Sequence, residues 1–302
     1  MNELSRMVVS GEVRTAVESG GPVVALESTV LAHGLPRPLN LEVGHVLEAD
    51  IRDGGALPAT VGVIAGMPMV GLSSGEMGQI ATADGVLKLS TRDLPIAVAR
   101  RVDGATTVAA TMWLAARAGI QVFATGGIGG VHRGNVPDVS ADLTELGRTP
   151  MIVVCAGPKA ILDLQGTREA LETFGVLVVG WRTDAFPAFY ASSSGLGVDV
   201  RADTAAEVAA LWSAHKDLDL AGALLLCVPP PAEHALPPAE MEEAIGRALR
   251  TAEREGVRGK EITPFLLRAV ADATGGRSLD ANVALLRNNA RVAAEIAVAL
   301  RG

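Results

Sequence analysis

The stretch ATTVAATMWLAARAGIQVFATGG, residues 105–127, carries a helix pattern and a strand pattern side by side. Apolar residues recur at helical spacing until Gly119, where a glycine ends the pattern. A short apolar run then leads into a pair of glycines, which is typical of a strand buried on both faces. The stretch therefore predicts a helix that leads into a strand of an α/β sheet.

The same alternation recurs along the chain. The segment PKAILDLQGTREALETFG has helical periodicity, and the proline-rich stretch PPPAEHALPPAE, residues 229–240, reads as a crossing loop inside one domain. We therefore expect a single α/β domain over residues 1–302. Further apolar runs that suit buried strands are PVVALEST, ATVGVIAG, MIVVCAG, LVVGW and GALLLCVP.

Composition restricts the class of partner. The 302 residues are 49% hydrophobic and 20% charged, which allows a large core, and the net charge of −8 gives no basic surface for a nucleic-acid polymer. A small anionic ligand stays possible. We find no apolar segment of about 20 residues that would span a membrane and no apolar core of a secretory signal in MNELSRMVVSGEV, and we expect a cytoplasmic protein. Cys155 and Cys227 lie in apolar runs and read as buried thiols in a reducing compartment.

Polar residues follow several of the predicted strands. In open α/β sheets, ligands bind outside the carboxyl ends of the strands, where glycine-rich turns lead into helices. That rule selects four places: ALEST around Glu27, the DGATT segment after Val102, ATGGIGGVHRG over residues 124–134, and the segment with Lys159.

Lys159 has an unusual sequence setting. Gly157 ends the predicted strand, and Pro158 is typical of the first position of a helix, so we expect Lys159 in the first helical turn. Apolar neighbours and the helix dipole would both favour the neutral amine there, lower its pKa and make it a nucleophile for a Schiff base with a sugar carbonyl. A structural, surface or phosphate-binding lysine is the alternative.

Glu27 directly follows the apolar run VVAL and precedes Ser28 and Thr29. One interpretation is an acid that caps a following turn or helix. The other is a proton donor with a raised pKa in a partly dry cleft. The residue alone does not decide between them.

The stretch ATGGIGGVHRGNVPDVSADL combines glycines, cations and carboxylates. Its glycines allow backbone N–H groups to approach a ligand closely, while its spacing differs from a dinucleotide-binding fingerprint, so a tight turn with an acid-rich cap is the alternative. Asp138 and Asp142 are hard oxygen donors that suit Mn²⁺ or Mg²⁺ better than zinc.

Lys88 and the DGATT segment form a candidate anion site. We expect a helix to begin after Gly104, so that Thr106 and Thr107 add hydroxyl groups at its N-terminus, and Lys88 adds charge. A plain capped helix is the alternative.

Taken together and in this order, these segments resemble the pseudouridine-5'-phosphate glycosidase family. The resemblance runs nearly from end to end, and long words such as FATGGIGGVHRG are far more specific than a single glycine pattern. The matching words are PVVALESTVLAHGLPRP, GALPATVGVIAG, KLSTRDLP, DGATTVAATMWLAARAGIQVFATGGIGGVHRG, DVSADLTELGRTPMIVVCAGPKAILDL, ETFGV, GKEITPFLL and SLDANVALLRNNARVAAEIA.

The resemblance implies a metal-dependent enzyme that reversibly cleaves the carbon–carbon glycosidic bond of pseudouridine 5'-phosphate, which gives uracil and ribose 5-phosphate. Simple departure of the base is difficult from a C-nucleoside, and an imine at the anomeric carbon of the opened sugar provides an electron sink. By resemblance, Lys159 is the nucleophile and Glu27 is the proton donor.

The remaining site residues are implied in the same way. Asp138 is the expected ligand of Mn²⁺ or another divalent cation such as Mg²⁺. The expected substrate contacts are Lys88, Thr107 and Val108 at the phosphate, Thr125 and His132 along the site, Ser140, Ala141 and Asp142 from the DVSAD word, and Asn282 at the base.

The family resemblance also implies a three-layer α/β/α fold with a central, largely parallel or mixed sheet, in which a helix-rich segment from about residue 239 to 301 packs back on the sheet. It implies a homotrimer. Two alternatives stay open: a lyase or aldolase that forms an imine on Lys159 but takes another second substrate, and a protein that only senses a nucleotide or sugar phosphate. Release of uracil separates all three.

Overall fold

The strands of the computed structural model are short and mostly buried. The structure describes residues 7–133, 138–257, 259 and 262–301, so residues 134–137 of the glycine-rich stretch and 260–261 of GKEITPFLL lie outside it. The described strands are β1 (Val8–Val9), β2 (Val23–Leu26), β3 (Leu57–Ile64), β4 (Met67–Val70), β5 (Leu87–Leu89), β6 (Gly104–Thr106), β7 (Val122–Ala124), β8 (Val131–His132), β9 (Ile152–Cys155), β10 (Leu162–Asp163), β11 (Leu177–Trp181), β12 (Val200–Ala202) and β13 (Leu224–Cys227).

One large sheet runs in the order β1-β4-β3-β2-β7-β9-β13-β11-β12, and β6 joins it beside β3 and carries β5. Neighbouring strands from β3 through β2 to β12 are parallel, whereas β4 and β6 pair with β3 in the antiparallel sense. Strands β8 and β10 form a separate antiparallel pair. This confirms the predicted central, largely parallel sheet.

Helices cover both faces of the sheet. They are α1 (Gly11–Glu18), α2 (Leu39–Asp53), α3 (Ser74–Thr82), α4 (Leu94–Arg100), α5 (Val108–Arg117), α6 (Ala141–Leu146), α7 (Leu164–Thr173), α8 (Ala205–Asp217), α9 (Pro238–Glu255), α10 (Ile262–Ala273) and α11 (Arg277–Ala299). Short 3₁₀ turns lie at Thr91–Asp93 and Ala232–His234, and a π-helical turn spans Val30–Gly34.

Alternate residues of the strands separate two apolar cores. In β2, Val24 and Leu26 pack in one core with α2 and with α8 to α11, whereas Val23 and Ala25 pack in the other with α1 and with α4 to α7. Since side chains alternate between the faces of a strand, these cores lie on opposite sides of the sheet. The arrangement is the predicted α/β/α fold.

The predicted strands are confirmed, but the predicted starts of two helices are wrong. The six predicted apolar runs correspond to β2, β3, β7, β9, β11 and β13. The helix predicted to begin after Gly104 begins at Val108, because residues 104–106 form β6 between β3 and β5. The helix predicted from Pro158 begins at Leu164, where the side chain of Asp163 accepts the Gly166 N–H and caps it.

The remaining sequence expectations concern cysteines, loops and membranes. Both cysteines are free and buried, on neighbouring strands β9 and β13. The proline-rich stretch contains a loop with a 3₁₀ turn and then the start of α9 at Pro238. Within the described part of the chain, every helix is too short or too polar to cross a membrane.

Candidate active site

The candidate site lies at the carboxyl ends of β2, β7 and β9, which are neighbours in the sheet. Strand β3, which follows β2 along the chain, pairs with β2 on one side, and β7 pairs with β2 on the other side, so the strand order reverses at β2. Crevices at such a reversal of strand order are where open α/β sheets bind ligands. A cavity of about 340 Å³ opens there.

Most of the sequence-predicted site residues line this one cavity. The residues of the cavity wall come from segments that are far apart in the sequence, from the loop after β2 to helix α11. The predicted residues in its wall are Glu27, Lys88, Thr107, Val108, His132, Asp138, Ser140, Ala141, Asp142, Lys159 and Asn282. The exception is Thr125, which reaches the site only through Glu27.

Glu27 is half-buried and held by two hydroxyl groups. Thr29 donates a hydrogen bond to one carboxylate oxygen, and Thr125 donates to the other at 2.5 Å. Because the α2 helix begins only at Leu39, Glu27 caps no α-helix. The carboxylate is therefore fixed at the cavity wall, in position to exchange a proton with a ligand.

Lys159 lies in a loop between β9 and β10, so its predicted place in the first turn of a helix is wrong. The proline does not start a helix because Pro158 forms a bridge with Ile128 of the glycine-rich turn. The Lys159 N–H donates to the Ile128 carbonyl at 3.1 Å, and the Ile128 N–H donates to Gly157 at 3.1 Å. Lys159 is half-buried and faces the cavity without the help of a helix dipole.

Arg133 holds the same loop from its other end. Its guanidinium donates to the carbonyl of Leu162 at 3.0 Å and to that of Ala160 at 3.3 Å. It also forms an ion pair of 2.6 Å with Glu242 of α9. One planar guanidinium thus binds two backbone carbonyls, those of Ala160 and Leu162, which follow Lys159 in the chain.

Asp142 and Ser140 are engaged with the backbone as well as lining the cavity. The two carboxylate oxygens of Asp142 accept the N–H groups of Gly129, at 2.8 Å, and Ala109, at 3.1 Å. Ser140 caps α6 by accepting the Asp142 N–H at 3.2 Å. Asp142 therefore joins the glycine-rich turn to the N-terminus of α5, which fixes the cavity wall between them.

His132 and Asp138 are joined by a backbone hydrogen bond. The His132 N–H donates to the Asp138 carbonyl at 2.8 Å. Burial lowers the pKa of the His132 imidazole, and Lys159 and Lys88 lower it further, while Asp138 acts in the opposite direction and is outweighed. The imidazole is consequently biased towards its neutral form.

The predicted anion site is only partly as expected. Thr106 is fully buried in β6, where its hydroxyl donates to the Val61 carbonyl at 2.8 Å, so it does not contribute to the cavity. Thr107 is the N-cap residue of α5, and its enclosed hydroxyl has no hydrogen-bond partner among the described residues. Thr107, Val108 and Lys88 all line the cavity, which leaves a hydroxyl, a helix N-terminus and a cation for an anion.

Helix α11 provides another part of the cavity wall. Asn282 and Leu286 are one helical turn apart and both line the cavity. Asn289, one turn further, is buried and donates to the Thr125 carbonyl at 2.8 Å. The helix is thereby tied to the end of β7.

Sequence reasoning missed several wall residues. Phe189 comes from the long loop after β11, where no motif pointed to a site, although the cluster FPAFY is conspicuous in a chain with 3% aromatic residues. Ser90 and Arg92 lie in the segment STRDLP, which follows the predicted Lys88 in the sequence. Other wall residues that were not predicted are Thr29, Val30, His33, Thr263, Pro264, Leu267 and Leu286.

The predicted metal ligand, Asp138, has few other metal-binding side chains near it among the described residues. Among the described residues, no three His, Cys, Asp or Glu side chains come together as a metal site. Asp138 lines the cavity and is exposed. A single carboxylate fits a hard divalent ion that keeps water or substrate oxygens in its shell, as Mg²⁺ does, and does not fit a closed zinc site.

Known proteins resemble the chain over nearly its whole length. Residues 12–299 match the family described as indigoidine synthase A like protein. The pseudouridine-5'-phosphate glycosidase of Chloroflexus aurantiacus is 58% identical over 296 residues, which cover 96% of this chain and 97% of that protein. The enzyme of the same name from Saccharopolyspora erythraea is 50% identical and covers 99% of both chains.

Two solved structures share the fold. The prealnumycin C-glycosynthase AlnA, in complex with ribulose 5-phosphate, is 40% identical with a TM-score of 0.90, over 98% of this chain and 97% of that one. An indigoidine synthase A-like protein from Thermotoga maritima is 38% identical with a TM-score of 0.92, over 100% of this chain and 99% of that one.

Proposed function

Because the chain belongs to the pseudouridine-5'-phosphate glycosidase family, we propose that it reversibly cleaves pseudouridine 5'-phosphate with water to uracil and ribose 5-phosphate. The observation that carries the proposal is the presence of Lys159 and Glu27 in the wall of one cavity at the end of the parallel sheet. A nucleophilic amine and a proton donor are what cleavage of a carbon–carbon bond to a sugar requires.

Lys159 supplies the nucleophile. Its Nζ bonds to the anomeric carbon of the sugar, and the ring oxygen leaves that carbon and takes up a proton. The carbon–carbon bond to the base then breaks as the nitrogen lone pair forms the C=N bond of an imine, and the base carbon takes up a proton. Water hydrolyses the imine, which releases ribose 5-phosphate and restores the amine. The hydrogen bond from the Lys159 N–H to the Ile128 carbonyl, and those from Arg133 to the loop backbone, support this role because they fix the position of the loop.

Glu27 supplies the protons. Its carboxyl group delivers a proton to the ring oxygen as the sugar opens, and the carboxylate then takes the proton that Nζ loses on bonding to carbon. It delivers this proton to the base carbon as the carbon–carbon bond breaks, and it regains one proton when water hydrolyses the protonated imine. The hydroxyl groups of Thr29 and Thr125 support this role because they orient both carboxylate oxygens.

The phosphate of the substrate fits the end of the cavity at Lys88 and α5. Lys88 supplies charge, Thr107 supplies a hydroxyl without a partner among the described residues, and Val108 begins the helix. Dipole and charge act in the same direction there. Asn282, on the α11 wall, has an amide that both donates to and accepts from the polar edge of a base.

Asp138 is the residue that would hold a divalent cation, Mn²⁺ or Mg²⁺, with water or substrate oxygens as the other ligands. When bound, the ion supplies positive charge that stabilises anionic oxygens of the substrate. We also propose that the enzyme is a cytoplasmic homotrimer. Two free, buried thiols suit a reducing compartment, and light scattering in solution tests the assembly.

Release of uracil from pseudouridine 5'-phosphate tests the proposed function directly. We expect the purified protein to release uracil in the presence of Mn²⁺, and free pseudouridine to have a kcat/KM at least about tenfold lower, because a charge-assisted phosphate contact is worth about 1.5 to 3 kcal/mol. Absence of uracil release would contradict the function. An imine with ribose 5-phosphate without uracil release would instead indicate a lyase with another second substrate.

A further inference from the structure

We propose that Asn289 of α11 is a positioning residue for the proton donor, Glu27, and that it acts on Glu27 through Thr125. The inference rests on the proposed function, because it concerns how the proton donor of that reaction is held. Asn289 is 1% exposed and, among the described residues, is not part of the cavity wall. Its effect on the reaction therefore passes through a residue that it contacts.

Hydrogen bonds connect Asn289 to the carboxylate by way of one residue. The Asn289 NH₂ group donates to the Thr125 carbonyl at 2.8 Å and to the Gly126 carbonyl at 3.4 Å. The Thr125 N–H donates to the Val154 carbonyl of β9 at 3.0 Å, so both backbone polar groups of Thr125 are held. Its hydroxyl is thereby kept within reach of Glu27, to which it donates at 2.5 Å.

An asparagine is unfavourable for packing at this position of α11. The Asn289 side-chain oxygen is enclosed and has no hydrogen-bond partner among the described residues. A buried polar atom without a partner lowers stability, so packing alone would favour an apolar side chain. The residues one turn before and after it on the helix are apolar and buried: Leu285, Leu286, Val292 and Ala293. The hydrogen bonds of its NH₂ group to the end of β7 account for the amide.

Helix α11 approaches the backbone closely at the same point. A Cβ atom at Gly126 would lie 3.1 Å from the Leu286 Cδ2 and 3.4 Å from the Leu285 Cδ1. The absence of a side chain at Gly126 leaves room for the helix, so the Asn289 amide reaches the backbone carbonyls directly. Proton transfer requires a donor within hydrogen-bond reach of the receiving atom, and small misplacements are costly. Whatever fixes the end of β7 therefore fixes part of the catalytic geometry.

Asn289→Leu tests the assignment, because leucine keeps the branched shape of the side chain and removes the NH₂ group. We expect kcat for uracil release from pseudouridine 5'-phosphate to fall about 10- to 50-fold, and no further than it falls in Thr125→Val. KM should stay within about threefold, since Asn289 is outside the cavity wall. Borohydride should still trap ribose 5-phosphate on Lys159.

A double-mutant cycle shows whether the effect passes through Thr125. In Thr125→Val the hydroxyl that donates to Glu27 is already absent, so adding Asn289→Leu should lower kcat by less than about a further twofold. Asn289→Ala removes the same NH₂ group and leaves space instead of filling it, and we expect the same loss of kcat from it. Losses that multiply in the double variant, or a wild-type kcat in either folded Asn289 variant, would overturn the proposal.

Asn40→Leu is the matched control. Asn40 is also 1% exposed, its NH₂ group also donates to two backbone carbonyls, those of Leu31 and Ala81, and its side-chain oxygen has no partner among the described residues. We expect its melting temperature to change as much as that of Asn289→Leu, and its kcat to stay within about threefold of the wild type.

The control separates loss of positioning from general damage to the fold. Equal losses of kcat in Asn40→Leu and Asn289→Leu would overturn the proposal, because the link to Thr125 would then have no special effect. Loss of borohydride trapping in Asn289→Leu to the same extent as kcat would overturn it as well, since the nucleophile would be affected. Absence of uracil release from the wild-type protein would instead contradict the proposed function.

Discussion

Lys159 reaches the cavity from an extended loop, so its function depends on position rather than on a helix dipole. Lys159→Arg keeps the positive charge, but a guanidinium stays protonated and forms no imine. We expect the variant to bind pseudouridine 5'-phosphate with an affinity within about tenfold of the wild type and to release no measurable uracil. Substrate binding by calorimetry and uracil release by chromatography measure the two effects.

Borohydride added with ribose 5-phosphate should leave a reduced sugar-phosphate adduct on Lys159 of the wild-type protein, and mass spectrometry locates it. Lys88 lines the same cavity and is the natural control, because Lys88→Gln should weaken phosphate binding and still allow the adduct on Lys159. An adduct on another lysine, or normal turnover by Lys159→Arg, would refute the nucleophile.

Glu27 gives a second prediction at the same scale. Glu27→Gln preserves the size of the side chain, but its amide has one oxygen to accept from Thr29 or Thr125, its NH₂ group donates to the other hydroxyl, and it delivers no proton. We expect kcat for uracil release to fall about 10²- to 10⁴-fold, while borohydride still traps ribose 5-phosphate. Thr125→Val removes only one orienting hydroxyl, so its loss of kcat should be smaller. A Glu27→Gln variant with wild-type kcat would exclude the proton donor.

At the scale of elements, the loop between β9 and β10 shows why part of the site was predictable and part was not. The strand ends were visible as apolar runs bounded by glycine, so the position of Glu27 and of Lys159 beside the sheet followed from the sequence. The helix start did not, because Pro158 suits both a first helical position and the bridge that it forms with Ile128. A bridge to a distant segment decided between them.

The place of Phe189 in the cavity wall and the contacts of Arg133 with the Lys159 loop were not predicted, for a related reason. Both depend on contacts with residues far away in the sequence, such as the Phe189 ring against Gly127 and the Arg133 guanidinium against Ala160 and Leu162. Periodicity and local motifs carry no signal for such contacts. Residues that follow a strand directly are predictable, whereas residues that reach the site from a neighbouring loop need the tertiary structure.

Arg133 gives the prediction for this element. Arg133→Ala removes the hydrogen bonds to Ala160 and Leu162, which allows the Lys159 loop to shift. Small misplacements of reacting groups are costly, so we expect kcat to fall about 10- to 100-fold with a smaller change in KM. Single-turnover imine trapping should slow by the same factor, because the affected step is the attack of Lys159.

Glu242→Gln is the matched control for Arg133. It breaks the ion pair with Arg133 and leaves both carbonyl contacts in place, and the Glu242 side chain is 64% exposed. Exposed ion pairs contribute little, so we expect kcat within about twofold of the wild type. An equal loss of kcat in both variants would show that kcat depends on the ion pair between Arg133 and α9, and not on the hydrogen bonds from Arg133 to the Lys159 loop.

At the scale of the whole molecule, the α11 wall depends on an ion cluster that joins it to α2. Asp50 is almost buried and accepts hydrogen bonds from Arg287 at 2.7 Å and Arg291 at 2.9 Å. Burial raises the pKa of the Asp50 carboxyl, but the hydrogen bonds and charges of the two arginines outweigh burial and hold the pKa below its ordinary value. The same helix carries Asn282 into the cavity.

This cluster makes part of the stability dependent on pH. Because the folded-state pKa of Asp50 is depressed, its contribution is fully present above the ordinary carboxyl pKa of about 4 and is lost as the pH falls through the lower folded-state value. Asp50→Asn should therefore lower the free energy of unfolding at pH 7 by about 1 to 3 kcal/mol, measured by urea denaturation. The difference from the wild type should shrink as the pH is lowered below about 4.

Asp53→Asn, at the exposed end of the same helix, is the matched control and should change the free energy of unfolding by less than about 0.5 kcal/mol at neutral or acidic pH. A difference between Asp50→Asn and the wild type that stays constant from pH 7 to pH 3 would show that the carboxylate charge of Asp50 does not hold α11 against α2.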